Sequence, residues 1–193
     1  WAYSGRSPQV KSCRGAPESG TALLAKSGAI SNLRAIAALF PEGVHLVARA
    51  DAKIKTLADL KGKRVAMGEP GSGTLAEARL VLEAAGLSEC RLKPQYPRLS
   101  EAASQLERGT LDAFFVTGGD PVPAISDVAS MIPVRLIPVI GTARTKLERQ
   151  FGLSAMTIPG ATYPGIDAEI QTVGTTALFV VSADVPEELV YEI

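Results

Sequence analysis

The sequence predicts an α/β fold, and three observations carry that expectation. From residue 56 onward, apolar runs of strand length alternate with stretches of helical periodicity. Glycine or proline separates nearly every run from the next. Two glycine-rich segments each fall between a strand and a helix, where ligands bind in open parallel sheets.

Taken in order, residues 1–30 have loop composition, with Ser4, Gly5, Ser7, Pro8, Ser12, Gly15, Pro17, Ser19 and Gly20. Apolar runs at 33–40 and 44–48, separated by Pro41-Glu42-Gly43, read as two strands or one strand broken at Pro41. Thr56 is placed to cap a short helix over 57–60 that Gly62 ends. A strand is expected over 63–68 and a helix over 74–85. Leu75, Ala78, Leu82 and Ala85 lie on one stripe of that helix, Glu77 and Glu83 point elsewhere, and Leu80 sits off the stripe. Further strands are expected at 92–96, 111–117 and 134–140. Ser100 caps a helix reaching Arg108, and a second helix covers 121–130. Strand, helix, strand, helix, strand, helix, strand implies a mostly parallel sheet covered by helices. Beyond it come a helix to Gln150, a strand near 155–158, a Pro/Gly/Tyr loop at 159–165 and a strand over 172–181. Asp184 and Pro186 open a last helix.

Composition excludes several classes. The 193 residues carry 20 Lys and Arg against 20 Asp and Glu, so no basic surface suggests nucleic acid as a partner. No run of eighteen apolar residues occurs. A single histidine, His45, sits in an apolar strand and reads as a satisfied structural residue, which leaves no histidine cluster for zinc. There is no Gly-x-Ser-x-Gly elbow to anchor a serine hydrolase. Cys13 and Cys90 fit no metal or redox spacing and read as two unrelated thiols, with a disulfide left open. No cofactor is expected. The chain starts at Trp1 and stops within a helical pattern, so both ends read as cut.

The sharpest motif is Gly68-Glu69-Pro70-Gly71-Ser72-Gly73-Thr74. Unpaired N–H groups at a helix start carry partial positive charge, and Ser72 and Thr74 add hydroxyl donors. Gly71 and Gly73 let an anion approach the backbone, which favours a carboxylate or phosphate by about 0.3–2 kcal/mol from the helix end alone. A turn that merely joins strand to helix is the alternative. Gly71-x-Gly73-x-x-Ala76 also fits a relaxed dinucleotide fingerprint, but no acidic residue ends the next strand, and no lysine precedes Thr74 as a P-loop needs. The second motif is Thr117-Gly118-Gly119-Asp120-Pro121, which presents a hydroxyl and bare N–H groups to the same crevice or is a simple turn. Tyr163, Trp1 and Tyr3 are candidate aromatic walls. Tyr163 stands out because a glycine-rich loop has little packing use for an exposed ring. Glu69 is a general-base candidate or a solvated group at the strand–helix bend, and Glu42 a cap or crevice contact or part of a solvated turn, with the solvated reading the default for each; Arg34, Arg49 and Arg98 are not placed by the sequence.

Three segments together resemble the TAXI family of TRAP-transporter solute receptors: Leu57-Ala58-Asp59-Leu60-Lys61-Gly62-Lys63-Arg64-Val65, the Gly68–Thr74 motif, and the run from Gly109 through Asp112 and Phe115 to Gly119. Flanks at 37–42, 158–165 and 184–191 agree, so the resemblance covers nearly all of 30–193. It implies a two-lobed, type II periplasmic-binding-protein fold, outside the cytoplasm, that delivers solute to a TRAP membrane permease. Residues 1–51 would be a partial first lobe with a hinge strand, 52–139 the second lobe, and 140–193 the return to the first. Ser72–Thr74, Thr117 and Gly118 would hold a ligand carboxylate, of glutamate or 2-oxoglutarate for example, and Tyr163 would come from the return crossing. The family's opening strand and Gly/Tyr-rich loop have no counterpart here. An enzyme of the same fold acting on a small acid and a nucleotide-binding domain are the alternatives to a binding protein.

Overall fold

The computed structural model describes residues 32–192. Trp1, Tyr3 and Cys13 lie outside the described residues.

Seven strands form one mixed sheet, with β1 (Leu33–Arg49), β2 (Arg64–Ala66), β3 (Lys93–Gln95), β4 (Ala113–Gly118), β5 (Val134–Leu136), β6 (Ser154–Ile158) and β7 (Ile170–Ser182). Their order is β3-β2-β4-β1-β7-β6, with β5 also on β1. The helices are α1 (Gly73–Ala84), α2 (Leu99–Glu107), α3 (Pro123–Met131), α4 (Gly141–Phe151) and α5 (Glu187–Tyr191). The α/β class therefore holds.

The expectation of a mostly parallel sheet does not. Only β2 with β3 and β2 with β4 run parallel. β1 lies antiparallel to β4, β5 and β7, and β7 antiparallel to β6. The cause is β1 itself. Residues 33–40 and 44–48 form one 17-residue strand whose inner end enters the sheet against the direction of β4. Pro41 does not break it, because the mismatch is absorbed by irregular register between Ala35 and Ala37 and between Ala38 and Pro41.

The inner half of β1 is buried on both faces, and its side chains divide by the two-residue period of a strand. Val44, Leu46 and Ala48 join the core that α1 and α4 close through Leu75, Ala78, Val81, Leu82, Ala143 and Leu147. Val47 joins the opposite core with Leu106, Phe114, Ile125 and Tyr163, under α2 and α3. Leu80, off the expected stripe, is also buried, so α1 is covered on more than one side. The outer half of β1 differs. Residues 33–41 are exposed and pair only with the outer part of β7, leaving Leu33, Ile36, Leu39, Phe40, Leu178 and Val180 open to solvent.

Local signals fare well where a cap or turn carries them. Asp59 accepts the Thr56 N–H at 2.9 Å at the start of a 3₁₀ turn over Leu57–Leu60, and Gly62 follows at φ +76°. Helix α2 begins one residue before Ser100, with Arg98 as its cap residue. Cys90 is disulfide-bonded, which corrects the expectation of two unrelated thiols. Among the described residues no helix is long and apolar enough to cross a membrane.

Candidate functional site

A small cavity of about 70 Å³ sits beyond the carboxyl ends of β2 and β4. Ala66, Gly68, Ser72, Thr74, Leu99 and Val116 are among the residues lining it, so the starts of α1 and α2 both reach its wall.

The loop that leads into α1 is shaped by Gly68. Its φ of +95° lies in the left-handed region, and a Cβ there would come within 3.0 Å of Ser72 Oγ and of Thr74. Only glycine permits both the turn and this approach. Ser72 then caps α1, its Oγ accepting the Leu75 N–H at 3.1 Å. Thr74 Oγ1 accepts the Thr117 N–H at 3.2 Å, which ties the helix start to the end of β4. Each hydroxyl thus has an acceptor role filled by a protein N–H, and its own proton remains to donate. The N–H groups of Gly73 and Thr74 carry no backbone hydrogen bond among the described residues, as the first turn of a helix leaves them.

Of the residues expected at the site, Ser72 and Thr74 are on the cavity wall. Gly71 and Gly73 are exposed beside it, with open space on the Cβ side of each. Thr117, Gly118 and Gly119 do not line it. The hydroxyl of Thr117 donates to the carboxylate of Glu77, so in this structure it is not presented to a crevice. Gly118 faces Val122, and Gly119 faces Phe40 and Pro41.

Tyr163 requires a correction. Its ring is 2% exposed rather than open to solvent. Its hydroxyl accepts the Val122 N–H at 3.0 Å and lies 2.9 Å from Nε2 of His45. The other ring nitrogen of His45, Nδ1, is 2.9 Å from the Gly43 carbonyl, which only accepts. The hydrogen bonds assign the Nδ1–H tautomer, with Nε2 accepting from tyrosine. Burial pushes the His45 pKa down despite the raising effect of Gly43, which fits a neutral imidazole. Tyr163 is a packing residue because the pair gives its polar end a buried partner, and the glycines around it let the loop fold over the ring.

Three charged groups near the cavity are not among the residues expected to bind ligand. Glu69 lines the cavity and pairs with Arg98 at 3.6 Å, both well exposed. Arg98 stands between the lining residues Pro97 and Leu99 but is not itself on the wall, and its exposed side chain comes to the cavity only through Glu69. Glu77 lies off the apolar stripe and is nevertheless partly buried against β4. Burial raises its pKa, the Thr117 hydrogen bond opposes this, and Glu42 adds to it. The signal for Glu77 was present: Thr74 and Glu77 are three residues apart and so share a helix face. Arg49 is spent elsewhere, donating to the Leu106 and Glu107 carbonyls at the end of α2 and pairing with Asp51. Among the described residues no group of three or more His, Cys, Asp or Glu side chains is arranged to hold a metal.

This chain matches the NMT1-like family model over residues 15–193. The chain belongs to the NMT1-like family. Solved structures similar to this NMT1-like chain include the periplasmic aliphatic sulphonate binding protein SsuA from Escherichia coli, at 24% identity over 62% of this chain and 40% of that one, with a TM-score of 0.48. An ancestral arginine-binding protein bound to arginine is similar at 19% identity over 83% of this chain and 54% of the other, with a TM-score of 0.49. The alkanesulfonate-binding protein SsuA from Xanthomonas axonopodis pv. citri bound to MOPS gives 20% identity, 80% and 45% coverage, and a TM-score of 0.45. The chain spans about half the length, or less, of these proteins.

Proposed function

We propose that this NMT1-like chain is part of a solute-binding receptor that captures a small carboxylate outside the cytoplasm. The observation that carries the reading is the donor set on one small cavity: the Ser72 and Thr74 hydroxyls beside the uncommitted N–H groups of Gly73 and Thr74. Helix starts favour anions through such groups, whose N–H dipoles point at the ligand. A cavity of about 70 Å³ suits one anionic head group and is well short of the roughly 300–1,000 Å³ of a complete small-molecule site. The rest of the ligand then lies outside the cavity, between this lobe and a second one. In this reading residues 52–139 are the bulk of the lobe, completed by the inner half of β1, α4 and the loop that holds Tyr163, while the outer halves of β1 and β7 lead towards the other.

The TAXI resemblance supplies the finer proposal, a receptor that hands an acidic amino acid or dicarboxylate to a TRAP-type permease. Capture needs lobe closure and no bond chemistry. In this proposal Arg98 would exchange its exposed pairing with Glu69 for one with the ligand. The lack of an acidic residue at the end of β3 weighs against a dinucleotide.

The test is calorimetric titration of the full-length protein with glutamate, glutamine, 2-oxoglutarate, succinate, an alkanesulfonate, arginine and a dinucleotide. The reading expects saturable binding of at least one carboxylate, weakened at least ten-fold by Ser72→Ala combined with Thr74→Val. Binding of the dinucleotide alone, or carboxylate binding untouched by the double substitution, would overturn it.

A further inference from the structure

We infer that Glu77 sets the charge preference of this site, penalising net negative charge beyond one unit, so that an amino acid is preferred over the corresponding dianion. The inference rests on the binding reading above. Thr74, on the cavity wall, accepts a hydrogen bond from the Thr117 N–H, and the Thr117 hydroxyl donates to Glu77. The carboxylate therefore lies two hydrogen-bonded steps from the donors that would hold a ligand. It is partly buried, so solvent screens it less than it would a surface charge. No cation among the described residues forms an ion pair with it, whereas Glu69 has Arg98 and Asp112 has Arg64. Glu42, midway along β1 where its exposed half meets the buried half, acts on Glu77 with charge of the same sign.

A carboxylate here has no packing need that a glutamine would not meet. Thr117 needs one acceptor, and an amide oxygen provides it. What glutamine lacks is the negative charge, and that charge falls beside a cavity whose donors favour anions. The arrangement suits a ligand whose anionic head enters the cavity while the remainder bears no net negative charge, for example because an ammonium group balances a second carboxylate. A dianion of the same length meets repulsion without compensation.

Glutamate and 2-oxoglutarate isolate this effect. They share a carbon skeleton and differ at one substituent, an ammonium group against a carbonyl, and thus by one unit of charge. Calorimetry on the full-length protein is expected to show glutamate bound roughly ten-fold or more tightly than 2-oxoglutarate, the scale of one charge a few hydrogen-bond lengths away in a partly buried setting. In Glu77→Gln the ratio should fall to about three or less, mainly through tighter 2-oxoglutarate binding. Glu42→Gln, which removes charge without touching the Thr117 hydrogen bond, should move the ratio the same way by a smaller factor. A purely structural role for Glu77 would weaken both ligands together and leave the ratio unchanged, and that outcome overturns the inference while leaving the binding reading intact. A wild-type preference for 2-oxoglutarate overturns it equally. If neither ligand binds, the inference falls, and the wider titration series above decides whether the carboxylate reading falls with it.

Discussion

Tyr163 and His45 stand 118 residues apart in the chain and share a buried hydrogen bond of 2.9 Å, with their rings edge to face. Through it the 160s loop is fastened to the central strand, and the Val122 N–H that begins the approach to α3 is fastened to both. Replacing Tyr163 by Phe keeps the ring and strands two buried polar groups, the Val122 N–H and His45 Nε2. The expected loss is about 1–3 kcal/mol of unfolding free energy in urea. A loss below about 0.5 kcal/mol would mean that water replaces the hydroxyl.

His45 also makes stability depend on pH. Its folded pKa is held below the ordinary 6.5 by burial. The unfolded chain therefore binds the proton first, and stability is full above pH 6.5 and falls as pH drops from there through the folded value. Thermal midpoints measured from pH 7.5 to 5 should decline, and His45→Gln should flatten that part of the curve. An unchanged slope in the variant would assign the decline to other groups.

Glu77 acts with the opposite sign. Burial raises its folded pKa above the ordinary 4.5. Its contribution is present below pH 4.5 and is lost as pH rises through the folded value. Glu77→Gln should therefore be more stable than the parent at pH 7, with the difference shrinking toward pH 4. A variant that is less stable at pH 7 would show that the Thr117 hydrogen bond outweighs the burial of charge.

Gly68→Ala tests the geometry of the loop. A Cβ at φ +95° costs about 1–2 kcal/mol in backbone strain, and contacts at 3.0 Å with Ser72 and Thr74 add to it. Both donors would be displaced, so binding of any carboxylate should fall by more than stability does. Gly71→Ala, with open space and a similar φ, is the control: it should cost stability alone.

Arg64 holds Asp112 by its guanidinium at 2.5 Å and by its backbone N–H at 2.8 Å. Burial pushes Asp112 up, yet these hydrogen bonds prevail and hold it below the ordinary 3.8. Asp112→Ala should cost about 1–3 kcal/mol at pH 7, an effect that disappears as pH falls through the folded value. Equal losses at pH 7 and pH 2.5 would point to packing instead.

Much of the fold was legible because short-range chemistry set it. Ser72 caps α1 as its position before an apolar stripe suggests, and Thr56 and Gly62 bound the turn between them. Strand direction was not legible, since β1 pairs with β4 some seventy residues later and with β7 later still, and no local pattern encodes that register. At the site, the loop was visible as a run of glycines and hydroxyls. The destination of the Thr117 hydroxyl was not, because it depends on where α1 lies against β4. Tyr163 misled for a related reason: a ring in a glycine-rich loop looks exposed until the loop is seen folded over His45.

The outer halves of β1 and β7 form a two-stranded ribbon, and each of those strands has its second edge unpaired among the described residues. Such ribbons are marginal by themselves in water, and open edges accept further strands from other chains. With Leu39, Phe40 and Leu178 about half exposed on it, the ribbon is a template for edge-to-edge growth. Concentration-dependent association is therefore expected of this chain, and Leu39→Lys should reduce it without reaching the cavity, as sedimentation over a concentration series would show.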